Sequence, residues 1–271
     1  MSTENRNPRS YGLDRMTPRE MVRLMNEEEL VVIKSLQGAE EAIAIAAERA
    51  AHAYNSGGRV IYVGAGTSGR IAKMDAAEMP PTFGIDASCF VALHAGGEAA
   101  VGQAVEDAED DAHAPIDDLN NLALTRNDVV FGIAASGRTP YVIGAIRHAR
   151  QKGLWTCAIV NNRNAPLIEE AEHSIVLETG PEVLTGSTRL KAGTAQKLVL
   201  NRISTIAMVL SGKVIENLMV DVKAKNVKLK ERCVRIVREL SNLTEDEARE
   251  SLERNNWSVR AVLSEASAIS G

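Results

Sequence analysis

Two hydrophobic periods succeed one another along the chain, and the places where one gives way to the other mark its elements. After sixteen mostly polar residues, Thr17-Pro18-Arg19-Glu20 supplies a capping hydroxyl, a proline at the first helical position and a glutamate at the third, so a helix should begin there. A longer helical pattern rich in alanine, leucine, isoleucine and glutamate covers 27–54, with a break expected near Gly38 and an end at Ser56-Gly57-Gly58. Val60-Ile61-Tyr62-Val63 is short, apolar and β-prone; residues 64–69 then turn the chain into a helix that Pro80-Pro81 should stop. Further strands are expected at 89–93, 129–133, 154–160 and 174–177, separated mostly by helical patterns. Continuous apolar strands between helices predict an α/β fold of three layers, with a mostly parallel sheet flanked by helices.

Past residue 188 the pattern becomes one long alanine- and leucine-rich helix to about 217, then a short loop at 221–227. The remainder reads as three short helices near 228–240, 244–253 and 256–266, the middle one opened by a capping box of Thr244 and Glu247. Leu252 and Trp257 are the expected anchors of this small C-terminal helical module. The division that follows is 1–54 as an N-terminal helical segment, 55–227 as the main domain and 228–271 as the module.

Composition narrows the class. Hydrophobic residues make up 45% and charged residues 25%, which describes a folded chain rather than a disordered one. A net charge of -5 disfavours a broad field for nucleic acid, so any anion must be met locally. Cys89, Cys157 and Cys233 are odd in number and lack metal-site spacing, and Cys89 and Cys157 are expected in buried strands. None of His52, His94, His113, His148 or His173 completes a metal-ligand pattern, so no metal is expected. The start MSTENRNPRS has no apolar signal-like core and no run nears 18 apolar residues, so a cytoplasmic protein without a membrane partner is expected.

The informative internal echo is GAGTSGR at 64–70 against GIAASGR at 132–138, identical at four of seven positions. Gly64, Gly66 and Gly69 also satisfy a dinucleotide-binding spacing. In that reading an acid should end the second strand and hold a ribose, whereas Asp86 precedes it, so no nicotinamide cofactor is expected. The same loop can instead cradle a phosphate through Thr67, Ser68 and the amides of the following helix. The second copy offers Ser136 and Thr139, with Arg138 as a pocket wall or a solvated charge. A third cluster, Thr185-Gly186-Ser187-Thr188, precedes the long helix. Three such loops at strand ends suggest a polyhydroxyl ligand carrying phosphate, reached by Ser187 and by Lys191 unless that lysine, like Arg189, is simply solvated. For acid and base work the candidates are Glu78, two residues before the double proline, and the acidic run containing Glu106 and Glu109.

Beyond these single features, the stretches YVGAGTSGR (62–70), DAAEMPPTFG (75–84), AVEDAED (104–110), GIAASGRTPYV (132–142), TGSTRLKAGTAQKLVLNRIST (185–205) and ENLMVDV (216–222) together resemble the N-acetylmuramic acid 6-phosphate etherases, a family of sugar isomerase (SIS) domain proteins. The resemblance implies an SIS-like sugar-phosphate-binding domain over 55–227 and a ubiquitin-associated-like helical module at 228–271. It also implies cleavage of the lactyl ether of N-acetylmuramic acid 6-phosphate without a cofactor, by a homodimer, with Glu78 as the acid that protonates the ether oxygen and Glu109 as the base at C2. Ala77 and Met79 stand where the family commonly has serine and cysteine. An SIS-domain isomerase or a sugar-phosphate sensor without turnover would use the same phosphate loops.

Overall fold

The structure is a computed structural model and describes residues 2–103, 105, 107–224 and 226–269. Three short 3-10 turns lead into α1 (Pro18–Gln37) and α2 (Glu40–Asn55). There follow β1 (Val60–Gly64), α3 (Gly66–Phe83), β2 (Phe90–His94), α4 (Ala99–Gly102), α5 (Ala114–Asn121), β3 (Val129–Ala134), α6 (Pro140–Gln151), β4 (Trp155–Val160), α7 (Pro166–Glu170), β5 (His173–Val176) and α8 (Lys191–Leu210). A two-stranded hairpin of β6 (Val214–Ile215) and β7 (Leu218–Met219) precedes α9 (Val227–Leu240), α10 (Glu245–Arg254) and α11 (Val259–Ile269).

The main sheet runs in the order β2-β1-β3-β4-β5 with every pair parallel, which is the expected α/β architecture. β1 and β3 are buried along their whole length because helices cover both faces. On one face Ile61, Val63, Val130 and Val160 pack against Val142, Ala145 and Ile146 of α6. Gly132 permits that approach, since a Cβ there would lie 2.7 Å from Ile146 Cγ1. On the other face, rings from all five strands form one row: Tyr62 meets Phe90 and Phe131 edge to face, Phe131 meets Trp155, and Trp155 stacks on His173. Aromatics are only 3% of the chain, and this row concentrates their bulk on one face of the sheet.

Contacts divide the chain into two compact units, Met1–Ala76 with Ser88–Ala207, and Ala77–Ala87 with Met208–Gly271. The core of the second unit gathers Val220, Cys233, Ile236, Val237, Ala248 and Leu252, with Trp257 packed at its edge as anticipated. Its middle helix carries the expected capping box, Thr244 accepting from Glu247 N while Glu247 accepts from Thr244 N.

Local expectations fail in four places. No boundary falls at residue 27; α1 runs unbroken to Gln37 because Leu24, Glu28, Val32 and Leu36 keep one buried face in register, and the expected break at Gly38 is where it ends. Pro80 and Pro81 do not stop α3, which continues to Phe83. Each proline removes its own N–H donor but still accepts, and Gly84 N closes the last turn on Pro80 O at 3.0 Å before its φ of 68° ends the helix. α8 stops at Leu210 rather than near 217, because Gly212 (φ 71°) turns the chain into the hairpin. Cys157 is buried in β4, but Cys89 is half-buried just ahead of β2.

Candidate active site

The two glycine loops leave β1 and β3, neighbours at the point where the strand order reverses, which is where an open α/β sheet forms its ligand crevice. In the first loop the helix starts at once: Gly66 has φ 52° and already belongs to α3. Gly69 has no room for a side chain, since a Cβ would lie 2.3 Å from His94 Cδ2. That buried imidazole is held between two carbonyls, Nδ1 at 2.7 Å from Ala95 O and Nε2 at 3.1 Å from Gly66 O. Ser68, also buried, donates to Gln196 Oε1 at 2.8 Å; Gln196 donates on to Asn161 Oδ1 at 3.0 Å, and Asn161 to Leu177 O at 3.2 Å. The Ser68 proton therefore belongs to an internal chain that ties the start of α3 and the segments just after β4 and β5 to α8. Thr67 stays half-buried, its methyl 3.3 Å from where a Cβ would stand at Gly193, so the first loop and the start of α8 are brought together.

A cavity of about 400 Å³ opens beside this loop, lined among others by Gly66, Arg70, His94, Asp107, Glu109 and Asp110. Asp107 turns the acidic segment with φ 62°, a conformation that aspartate tolerates better than most residues. The backbone carbonyl of Glu109 accepts from Tyr141 N at 3.0 Å, at the start of α6, and Gly144 lets the segment approach, since a Cβ there would be 2.1 Å from Ala112 O. Glu109 is thus exposed to the cavity of the first loop while its backbone is pinned to the helix that follows the second. Glu106 lies outside the described residues.

The second loop keeps its polar groups differently. Ser136 Oγ accepts from Arg138 N at 3.2 Å, and Thr139, the N-cap of α6, makes no side-chain capping bond. Both are half-buried and Arg138 is exposed. Ser187, also half-buried, stands just before α8. That helix N-terminus is already occupied: the buried Glu182 carboxylate accepts from Lys191 N at 3.0 Å and Ala192 N at 2.9 Å. Burial pushes the Glu182 carboxyl up, and the two amides offset this only in part. Lys191 is not solvated; its Nζ donates to Glu28 at 2.5 Å, with the two side chains 3% and 5% exposed. Burial opposes the charge on Glu28, but the Lys191, Asn7 and Arg9 contacts outweigh it and hold this carboxyl below the ordinary range. Glu78 is exposed on α3, in the second compact unit.

The whole chain has close counterparts. Residues 41–150 match the glucokinase regulatory protein N-terminal SIS domain, 102–203 the SIS domain, and 216–270 the C-terminal lid domain of glucokinase regulatory protein. N-acetylmuramic acid 6-phosphate etherase from Serratia proteamaculans is 52% identical over 96% of this chain and 88% of its own length. The counterpart from Geobacillus thermodenitrificans is 49% identical over 97% and 89%. The chain belongs to the N-acetylmuramic acid 6-phosphate etherase family. Phosphoheptose isomerases from Francisella tularensis (TM-score 0.56, 18% identity, 71% of this chain and 98% of that one) and Neisseria gonorrhoeae (0.52, 21%, 70% and 98%) share the fold of the etherase sheet and its helices.

Within that etherase fold, sequence reasoning passed over Arg70, Gln196 and Asn161, and took His94 only as completing no metal-ligand pattern. Arg70 carried a signal, being the last residue of the echoed heptapeptide. Gln196 and Asn161 carried none, because their role depends on three elements meeting at Ser68. Among the described residues no three His, Cys, Asp or Glu side chains are grouped to hold a metal ion, and no helix is long and apolar enough to cross a membrane.

Proposed function

We propose that this protein cleaves the D-lactyl ether of N-acetylmuramic acid 6-phosphate with water, giving N-acetylglucosamine 6-phosphate and D-lactate. The observation that carries this reading is the placement of Glu109 in the cavity of the first glycine loop, in a chain about half identical to the etherases. With the sugar ring open, the C1 aldehyde acidifies the C2 proton. Glu109 removes that proton, the C3–O bond breaks, and Glu78 protonates the departing lactyl oxygen. Water then adds across the unsaturated C2–C3 bond, its oxygen going to C3 and a proton returning to C2. Thr67, Ser136, Thr139 and Ser187 hold the phosphate and hydroxyls, with Ser68 and Lys191 bracing the loops through Gln196 and Glu28.

The same reading needs no cofactor and assigns the protein to the cytoplasm as a homodimer. Exposed Val22, Leu30 and Ile33 on α1 support a partner face. It retains 1–54, 55–227 and 228–271 as the functional division. The test follows D-lactate release and solvent-deuterium incorporation at C2 with N-acetylmuramic acid 6-phosphate. Lactate release with label at C2 is expected; tight binding without lactate would replace the enzyme by a sensor. Sedimentation at low micromolar concentration checks the dimer, and a fully active monomer would reject it as a requirement.

A further inference from the structure

Arg70 is placed unlike a surface arginine. It sits on the second turn of α3, half-buried, with Nε donating to Val101 O at 2.8 Å and Nη2 to Ala100 O at 3.0 Å. Those two carbonyls belong to α4, a four-residue helix at the start of the acidic segment, and they clamp the guanidinium in one orientation. Among the described residues no Asp or Glu forms an ion pair with it, and Nη1 has no protein acceptor. It lines the same cavity of about 400 Å³ as Glu109. A fixed cation in a cleft, with donors left over beside a carboxylate base, is the arrangement that stabilises negative charge arising when that base takes a proton.

We propose that Arg70 is a catalytic residue that stabilises the oxyanion at C1 of the open-chain sugar during C2 deprotonation; this rests on the etherase reading above. Glu109 takes the proton from C2, the C–H electron pair forms the C1–C2 double bond, and the carbonyl pair moves onto O1, which the free edge of Arg70 meets. When the carbonyl re-forms, the pair passes into C2–C3 and the lactyl oxygen leaves with a proton from the acid. The carbonyl clamp supplies preorganisation: Arg70 need not swing into place as the charge appears, so its stabilisation is realised in the transition state rather than in substrate binding. His94 cannot substitute for it, because both ring nitrogens already face carbonyl oxygens.

The experiment compares wild type, Arg70→Lys, Arg70→Gln and Arg70→Ala in the full chain, measuring deuterium exchange at C2, D-lactate release, thermal melting and direct binding of N-acetylmuramic acid 6-phosphate by calorimetry. Arg70→Gln should slow both exchange and lactate release by roughly 10²–10³-fold while changing the dissociation constant less than about threefold. Arg70→Lys, which keeps the charge but loses the fork, should fall between them, and guanidinium added to Arg70→Ala should restore part of the exchange rate. Exchange at the wild-type rate in Arg70→Gln overturns the proposal while leaving the etherase reading intact. A loss confined to binding, present with the phosphorylated sugar and absent with the dephosphorylated one, also overturns it and assigns Arg70 to the phosphate. Melting of Arg70→Lys well below wild type, with no rescue by guanidinium, would reduce Arg70 to a structural clamp. If wild type shows neither exchange nor lactate, this proposal and the etherase reading fall together.

Discussion

The two glycine loops share Gly, Ser, Gly and Arg at matching positions and leave adjacent strands of one sheet, yet they carry different backbones. In the first, positive φ falls at Gly66 and the helix begins there; in the second it falls at Gly137, three positions later in the shared pattern, and the helix waits until Pro140. The proline explains the delay. Its ring disfavours helical geometry in the residue before it and suits the first helical position, so α6 cannot start earlier. The matched side chains consequently do different things. Ser68 falls inside the first turn of α3 and is buried against Gln196, whereas Ser136 stays outside α6 and only half-buried. Arg70 is clamped on two carbonyls, whereas Arg138 is exposed. A repeated motif therefore fixes the end of the sheet at which a loop lies, while the helix start decides which of the matched side chains are buried against other elements.

The proposed reading draws on this contrast: it sets the C2 base beside the first loop and has Ser136 and Thr139 of the second hold the sugar phosphate together with Thr67 and Ser187. The largest effect tests the first half: Glu109→Gln should lower lactate release by roughly 10²–10⁴-fold with substrate binding retained. Glu78→Gln should likewise keep binding and lose at least about 10²-fold in release, while Glu109→Gln alone loses C2 exchange. An equal loss of binding and turnover in Glu109→Gln would break the assignment.

The third loop sharpens the contrast through stability. Glu28→Gln leaves the buried Lys191 ammonium without its counter-charge and should lower the free energy of unfolding by about 3–5 kcal/mol, read from urea melts. The pH dependence has a definite sign. Because the Glu28 carboxyl lies below its ordinary value of 4.5 in the folded protein, its contribution is present above that value and is lost as pH falls through the lower folded one. Glu28→Gln should flatten that acid limb, and an unchanged acid limb would place the linkage elsewhere.

Next come the hydroxyls. Ser136→Ala and Thr139→Ala should each weaken sugar-phosphate binding by about 1.5–3 kcal/mol, the range for a hydrogen bond to a charged group. Ser68→Ala should leave binding nearly unchanged and instead cost about 1–3 kcal/mol of stability, because Gln196 Oε1 loses a buried donor. Calorimetry and thermal melting of the three variants separate these outcomes; equal loss of affinity in Ser68→Ala would erase the difference between the loops. The smallest effect is expected at Arg138→Ala, within about 0.5 kcal/mol in stability, since the side chain is exposed.

Much of the fold was legible because its signals are local. The strands of the parallel sheet are short apolar runs, the caps at Thr17 and Thr244 are read within four residues, and the echo of the glycine loops marks both edges of the crevice. The helix at Pro80-Pro81 was misread because a proline is unfavourable through its own missing donor, and tolerated when the turn that follows can still close on its carbonyl, as Gly84 does here. The end of α8 was misread for a different reason: the apolar pair Val214-Ile215 follows Leu210 at a spacing one more helical turn would also give, and only the positive φ at Gly212 and the pairing of β6 with β7 show that the chain has left the helix.

The sequence by itself determined the α/β class, the glycine loops, the acidic pair Glu78 and Glu109 as candidates, and the family, because periodicity, spacing and long motif strings are properties of neighbours along the chain. Only the tertiary structure decided which of the equivalent hydroxyls and charges are already spent. Lys191 and Glu28 are 163 residues apart, and Ser68 and Gln196 are 128 apart, so whether each polar group meets a ligand or another buried group depends on which elements the sheet order brings together. A buried donor or charge must be satisfied by whatever lies within about 3 Å, and that neighbour is set by packing.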